Sequence, residues 1–209
     1  MTPNLNLVDI ENNKLETAVF MSRSGQQPVP TIRLRALNLK YLKLTGVSNQ
    51  KLFLHTCRNL NKLEFNFLSL DLDRIEQFLK YIPFLKKLII KDCQNISEGE
   101  SKPLSIPPRL EEIIIHNLQD GLVEFSKTDL REVKHMSILK AKLDIKGIFS
   151  SRAKFSKEKL EYLYVILDNT TLDTEERDKF YELEDYLDSI GSRIADRTFN
   201  DSEYEKFFT

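Results

Sequence analysis

The sequence predicts an α/β solenoid, with a curved parallel sheet on its concave side and helices on its convex side. Three observations predict this fold: an aliphatic pattern that recurs along the chain, a similar interval between its copies, and segments of helical periodicity between them. The 209 residues are 41% hydrophobic and 30% charged, which suits one domain with a sizeable core.

The recurring pattern places aliphatic residues or phenylalanine at positions one, four and six, and a small or apolar residue at position nine. Four copies are complete, and their fourth positions are Leu42, Leu63, Leu88 and Ile113. Two weaker copies place Leu143 and Leu163 at the fourth position. The intervals between these positions are 21, 25, 25, 30 and 20 residues, which indicates a stacked repeat.

Each copy predicts one strand of a parallel sheet. In "KLIIK", strand alternation points Leu88 and Ile90 to one side, and Lys87, Ile89 and Lys91 to the other. One strand cannot bury its apolar side alone, so stacked copies must share a continuous core.

The segments between the strands predict helical crossings. "DLDRIEQFLKYIPF" has apolar residues at helical intervals, and Pro83 ends the pattern. Asp71 precedes this run and is expected to be its N-cap rather than a metal ligand. "NQKLFLHTCRNL", residues 49–60, shows the same periodicity more weakly and predicts a second helix.

The stretch "LKKLIIKDCQNISEGE", residues 85–100, resembles the cysteine-containing leucine-rich repeat, whose consensus is L-x-x-L-x-L-x-x-C-x-x-I-T-D-x-G. The matching residues are Leu85, Leu88, Ile90, Cys93 and Ile96. Such repeats are typical of F-box/leucine-rich-repeat proteins, the substrate receptors of cullin-type ubiquitin ligases. The repeat-level resemblance covers residues 31–168 and implies a substrate-recognition array.

Cys93 stands at the ninth position of its copy, where the other copies carry apolar residues. Those residues are Val47, Leu68, Leu118 and Ile148. Cys93 is therefore expected to be a small buried hydrophobic residue rather than a reactive thiol.

Three segments are expected along the chain. Residues 1–30 are too short and too polar for a recognisable F-box, and "LETAVFMSRS" predicts a strand in an N-terminal cap. Residues 31–168 hold about six irregular repeats, and residues 169–209 form an acidic C-terminal helical cap and tail.

The C-terminal segment, residues 168–209, contains 13 acidic and 5 basic residues. Its apolar residues recur at helical spacing, namely Phe180, Leu183, Leu187, Ile190 and Ile194. This pattern predicts an amphipathic helix that closes the last repeat. The alternative is that the acidic segment docks on the basic stretch Lys127–Lys159 or on a separate basic partner.

The outward strand positions three, five and seven are expected to form the concave, partner-binding face. The candidate contact residues are Tyr41, Lys43, Lys62, Glu64, Asn66, Lys87, Ile89, Lys91, Glu112, Ile114, His116, Asp144, Tyr162 and Tyr164. Ile89 and Ile114 are expected to be neighbours that form an apolar centre within a charged rim, as in many protein interfaces. A second apolar set is expected near the end of the repeats, formed by Tyr162, Tyr164 and Ile166, which binds a partner or is covered by the tail.

No motif of enzyme chemistry is recognised. The six glycines form no phosphate-binding loop, and the chain has no Cys-x-x-Cys and no His-Glu-x-x-His. His55 and Cys57 are offset by two residues, which points them to different sides of a helix. We therefore expect a non-catalytic protein without a metal or a cofactor.

The sequence thus predicts a protein–protein interaction module that binds through its concave face. The resemblance implies a substrate-recognition array of F-box/leucine-rich-repeat type, whose partner is a ubiquitin-ligase substrate or scaffold. The alternative is a nucleic-acid-binding or adaptor subunit that uses the stretch Lys127–Lys159, which contains 10 basic and 4 acidic residues. A formal net charge of −1 does not favour nucleic-acid binding.

The expected location is intracellular, in the cytoplasm or the nucleus. Two cysteines cannot build a disulfide framework, and the first residues lack the charged and apolar regions of a signal peptide. No apolar run is long enough to cross a membrane, and we expect a monomer in isolation.

Overall fold

The protein is a parallel β-solenoid in a computed structural model that describes residues 7–22, 31–46, 52–54, 56–97, 103–107, 109–125, 130–144, 159–167 and 185. The strands are β1 Leu7–Glu11, β2 Thr17–Met21, β3 Thr31–Arg35, β4 Tyr41–Thr45, β5 Leu52–Phe53, β6 Lys62–Asn66, β7 Ser69–Leu70, β8 Lys87–Asn95, β9 Leu104–Ser105, β10 Glu112–Glu124, β11 His135–Asp144 and β12 Tyr162–Leu167. The helix α1 spans Leu72–Tyr81.

The main sheet runs in the order β12-β11-β10-β8-β6-β4-β2, and every neighbouring pair is parallel. The short strands β7 and β9 extend it beside β8 and β10. Successive copies stack in register, so that Leu42, Leu63, Leu88 and Ile113 are partners in one row. All four side chains have 0% exposure, which makes this row the centre of the core.

A left-handed residue stands at position eight of five copies, directly after β4 and β6 and within β8, β10 and β11. Gly46, Phe67, Asp92, Asn117 and Lys140 all have φ between 51° and 68°. This bend interrupts the two-residue alternation of the strand, so that the residue at position nine turns inward again. It explains why positions six and nine both point into the core although they are three residues apart.

The second layer of the solenoid differs between its two ends. At the N-terminal end, β1, β3 and β5 form a small parallel sheet of their own. Farther along, α1 packs its Ile75 and Leu79 into the core. The carboxylate of Asp71 accepts a hydrogen bond from the backbone N–H of Arg74 at 3.1 Å, which confirms the predicted N-cap.

The described part of the chain contains more sheet and fewer helices than expected. The helix predicted within "DLDRIEQFLKYIPF" is confirmed as α1, but the one predicted over residues 49–60 is wrong, since Leu52–Phe53 is strand β5. The apolar spacing of that segment also suits a short strand and a turn, because Leu54, Cys57 and Leu60 all reach the core from an irregular chain.

The register expected for the fifth copy is also wrong. Met136, not Leu143, stands between Ile113 and Leu163 in the central row. The intervals are therefore 23 residues from 113 to 136 and 27 residues from 136 to 163. The true copy has Val133 at position one and Ala141 at position nine, and these smaller residues made it inconspicuous.

A further copy precedes the ones that the pattern identified. The strand expected within "LETAVFMSRS" is β2, and it pairs with β4 so that Ala18 lies beside Leu42. At the other end, the predicted C-terminal helix lies outside the described residues, apart from Asp185, which is helical and exposed.

A row of charges at position two locks successive copies together at the corner before each strand. Lys40 Nζ lies 2.9 Å from a carboxylate oxygen of Glu16. Glu111 contacts Lys86 at 2.6 Å on one side and Lys134 at 3.0 Å on the other. These two hydrogen bonds lower the pKa of Glu111. Because such pairs lie near the surface, water screens them, and their main effect is on register.

Candidate interaction surface

The main sheet has a side that points away from the core, which we call the outer face and which corresponds to the face predicted to be concave. It is built from positions three, five and seven of each copy, which stack in three columns. Successive residues at position three are Tyr41, Lys62, Lys87, Glu112 and His135; at position five, Lys43, Glu64, Ile89, Ile114 and Ser137; and at position seven, Thr45, Asn66, Lys91, His116 and Leu139.

Glu64 is the hub of a polar network on β4 and β6. Its carboxylate accepts hydrogen bonds from Tyr41 Oη and Asn66 Nδ2, each at 2.8 Å. Lys43 Nζ lies 2.8 Å from it, and Lys62 Nζ lies at 3.6 Å. Lys62 also stands 4.4 Å from the ring centre of Tyr41. The network ties the side chains of two neighbouring strands into one arrangement.

The environment of Glu64 keeps it ionised although it is only 8% exposed. Burial by itself raises the pKa of its carboxyl, but the hydrogen bonds from Lys43, Asn66 and Tyr41 outweigh burial and lower the pKa to about 2. Burial and the hydrogen bond to Glu64 raise the pKa of Tyr41 to about 12. At neutral pH the network therefore holds a fixed negative charge beside two lysines.

An apolar pair lies in the next two copies, where Ile114 on β10 is the register partner of Ile89 on β8. Lys87 and Glu112 form a salt bridge beside the pair, at position three. The neighbouring position seven holds Lys91 and His116. The predicted neighbours are therefore in place, but Ile89 is only 6% exposed, and the apolar centre is less open than expected.

His116 is neutral at physiological pH. Burial and the positive charge of Lys91 lower the pKa of its imidazole to about 4, and its Nε2 lies 2.8 Å from Ser137 Oγ. Lys91 forms no ion pair within the described part of the chain. The outer face thus presents an unpaired cation beside half-buried apolar surface.

Two acceptor atoms near the Glu64 network lack a donor. Thr45 Oγ1 and Asn66 Oδ1 are buried without a hydrogen-bond partner in the described structure, and the two residues are register partners at position seven. Unsatisfied buried acceptors cost about 1–3 kcal/mol each. Because both atoms are buried, this cost falls on the folded protein and does not make them contact points for a partner.

The corrected register brings residues to the outer face that the sequence pattern missed. Ser137 and Leu139 lie beside Ile114 and His116. The signal for them was the copy that starts at Val133. Asp144 is placed differently from the prediction, because its backbone pairs with Glu124 beyond the irregularity in β10.

Tyr162 and Tyr164 are register partners of His135 and Ser137, so their backbone continues columns three and five. Their side chains, and that of Asp144, lie outside the described part of the structure.

Neither cysteine is a candidate nucleophile. Cys93 is 1% exposed, and burial raises the pKa of its thiol to about 11, while Cys57 is fully buried and burial raises its pKa as well. Within the described residues, no three His, Cys, Asp or Glu side chains are grouped so that they could hold a metal ion. No helix in that part of the chain has the length and apolar character needed to cross a membrane.

The basic stretch Lys127–Lys159 is described only in part. Two of its cations engage acidic neighbours: Lys134 contacts Glu111 at 3.0 Å, and Lys159 contacts Glu132 at 2.8 Å. These contacts join adjacent copies of the repeat. They therefore favour a structural role for the two lysines over a role in binding an external anion.

The chain matches no protein-family model, no curated protein and no solved structure.

Proposed function

We propose that this chain is a non-catalytic protein-recognition module that binds its partner across the outer face. The observation that carries the proposal is the apolar pair Ile89 and Ile114, flanked by the Lys87–Glu112 salt bridge and by Lys91, which has no ion-pair partner among the described residues. An apolar centre with a charged rim is the usual anatomy of a protein interface.

The chemistry of the outer face specifies the kind of segment that would bind. An apolar side chain of the partner would cover Ile114, and a carboxylate would pair with Lys91. We therefore propose an extended or helical protein segment that combines apolar and acidic residues.

The Glu64 network supports the proposal because it fixes the side chains before a partner arrives. Long side chains such as Lys43 and Lys62 would otherwise lose roughly 0.5–1.5 kcal/mol each when binding orders them. Their contacts with Glu64 already hold them in one arrangement. A preorganised face binds with a smaller entropic cost.

We also propose that the solenoid is a leucine-rich-repeat array of the F-box/leucine-rich-repeat type, whose partner is a ubiquitin-ligase substrate or scaffold. The support is the inward Cys93 at position nine and the repeated bend at position eight. The mostly strand-based second layer at the N-terminal end supports only the broader class of parallel β-solenoids.

Affinity capture with the full chain as bait tests the proposal. The wild-type chain is compared with Ile114→Asp, which places a charge in the half-buried apolar centre, and with Phe84→Asp. Phe84 is 61% exposed and precedes β8 outside the three columns, so Phe84→Asp is a matched apolar-to-acid control.

We expect the wild type and Phe84→Asp to capture the same protein, and Ile114→Asp to capture at least about tenfold less, which corresponds to about 1.4 kcal/mol. Equal capture by all three baits, with the circular-dichroism spectrum unchanged, would contradict recognition through the outer face. Cullin-ligase components among the captured proteins would support the F-box/leucine-rich-repeat class.

A further inference from the structure

Two buried apolar residues do not belong to the core of the solenoid. Of the hydrophobic residues that are buried in the described structure, Ile89 and Leu139 alone stand outside the continuous core cluster. Ile89 is 6% exposed and Leu139 is 0% exposed. Both occupy outward positions, five on β8 and seven on β11.

The adjacent residues show that these side chains are buried from the opposite direction. Ile138 and Ile90, the chain neighbours of Leu139 and Ile89, are both members of the core cluster. Because successive side chains of a strand point to opposite faces, Leu139 and Ile89 must be shielded from water at the outer face. Ser137 is also 6% exposed there, and burial lowers the pKa of His116.

The shielded area is wide. Ile89 and Leu139 are separated by two strand spacings and by two residues along the strand, which places them about 12 Å apart. Leu139 has no exposed surface although it stands at an outward position, which indicates a covering segment on the outer face over β8, β10 and β11.

Building on the recognition role above, we propose that the acidic C-terminal segment, residues 168–209, is this cover, and that it occupies the partner-binding face within the same chain. The segment follows β12, which is the neighbour of β11. Its apolar stripe, defined by Phe180, Leu183, Leu187, Ile190 and Ile194, matches an apolar groove.

Length and charge both favour this occupant. A helix over residues 172–195 would be about 36 Å long, whereas the four strand spacings from β12 to β6 span only about 19 Å. The segment carries 13 acidic residues against 5 basic ones, and the outer face offers Lys91, which forms no ion pair with any described residue. Asp185, which falls on the side of the helix opposite the apolar stripe, is exposed.

The other segment long enough to reach Leu139 is residues 145–158, which joins β11 to β12. It is basic, with Lys146, Arg152, Lys154 and Lys157. It would therefore bring like charges toward Lys91, which disfavours it as the cover.

In this arrangement the tail resembles the partner that the face is proposed to bind, since it combines apolar and acidic side chains. Partner binding must then displace the tail. The apparent affinity of the full chain for its partner equals the intrinsic affinity of the open face multiplied by the fraction of molecules in which the tail is released.

Thiol labelling of the full chain tests the arrangement without any partner. The variant Leu139→Cys places a reporter under the cover, and the two native thiols are buried with raised pKa values, so they react slowly. The reporter is combined with Phe180→Asp and Leu187→Asp in the apolar stripe. In a separate control variant, Leu139→Cys is combined with Ser189→Asp, which lies on the opposite side of the same predicted helix.

We expect the stripe substitutions to accelerate labelling of Leu139→Cys by at least about tenfold, and Ser189→Asp to leave the rate unchanged. A second reporter, Ile138→Cys, faces the core and should stay unreactive in every background. Faster labelling at both reporters would mean that the substitutions destabilise the whole fold. The milder substitution Phe180→Ser then takes their place, and it should accelerate labelling at Leu139→Cys alone.

An unchanged rate at Leu139→Cys in the stripe variant would overturn the proposal. So would acceleration by Phe149→Asp, in residues 145–158, without acceleration by the stripe substitutions. The labelling experiment involves no partner. Its result therefore shows whether the tail covers the outer face, independently of whether Ile114→Asp abolishes capture of a partner.

Discussion

Ile89 and Ile114 lie side by side on β8 and β10, yet they differ in their access to water. Ile89 is 6% exposed, whereas Ile114 is half-buried. The two residues therefore contribute differently to stability and to recognition, although the sequence pattern treats them as equivalent. Only Ile114 offers a binding test that leaves the fold intact.

Ile89→Asp is expected to destabilise the protein by about 3 kcal/mol or more, because it buries a carboxylate without a partner. Ile114→Asp is expected to cost less than about 1 kcal/mol, since a half-buried aspartate keeps contact with water. Chemical denaturation of both variants measures the difference. Equal losses would contradict the distinct burial of the two positions.

Glu64→Gln is expected to lower the stability at pH 7 by about 2–3 kcal/mol, because Lys43 then loses its buried counter-ion. Since the pKa of Glu64 is about 2 in the folded state and near 4.5 otherwise, its contribution is fully present above pH 4.5 and is lost as the pH falls toward 2. The wild type and Glu64→Gln should therefore converge in stability across that window.

Glu111→Gln is the matched control for this pH dependence. Glu111 also pairs with two lysines, but its side chain is 31% exposed, against 11% for Glu64. Water screens its ion pairs, so the loss at pH 7 should stay below about 1 kcal/mol. A larger loss for Glu111→Gln than for Glu64→Gln would contradict the account of the network.

Gly46→Ala is expected to destabilise the protein by about 1–3 kcal/mol. Gly46 has φ +68°, and a Cβ there would lie 2.7 Å from the carbonyl oxygen of Ser22. Phe67 occupies the same position of the next copy with φ 51°, and it is 65% exposed. Phe67→Gly should therefore cost less than about 0.5 kcal/mol, because it relieves backbone strain. Thermal unfolding of the two variants checks this difference in effect.

Met136→Ala tests the corrected register of the fifth copy. Met136 is fully buried in the central row, so its truncation should cost about 2–5 kcal/mol. Met21→Ala makes the same change at a residue that is 74% exposed and should cost less than about 0.5 kcal/mol. Similar losses of stability in the two variants would contradict the position of Met136 in the central row.

The repeat and its central row could be predicted from the sequence because aliphatic residues dominate them. Leu42, Leu63, Leu88 and Ile113 define both the period and the inward side of each strand. The inward Cys93 followed from the same alignment. The inward turn of Cys93 is caused by the left-handed residue at position eight. The sequence does not reveal this bend, because phenylalanine and lysine, which occupy that position as Phe67 and Lys140, rarely adopt a left-handed conformation.

The candidate site was harder to predict, because outward positions carry no fixed residue type. Leu139 is an apolar residue at an outward position, and it obscured the alternation of β11. The register of one copy was therefore assigned seven residues too late, which placed Asp144 in a column that belongs to Ser137. Burial of Ile89 also could not be predicted from its strand, since the alternation of side chains assigns it to the outer face.

Site-specific photo-cross-linking measures most directly whether a partner contacts the outer face. A photoreactive residue is placed at Lys91, on the outer face, or at Lys80, an exposed residue near the end of α1. We expect an intermolecular adduct of the captured partner from position 91 and none from position 80. An adduct from position 80 alone, or equal adducts from both, would contradict recognition through the outer face.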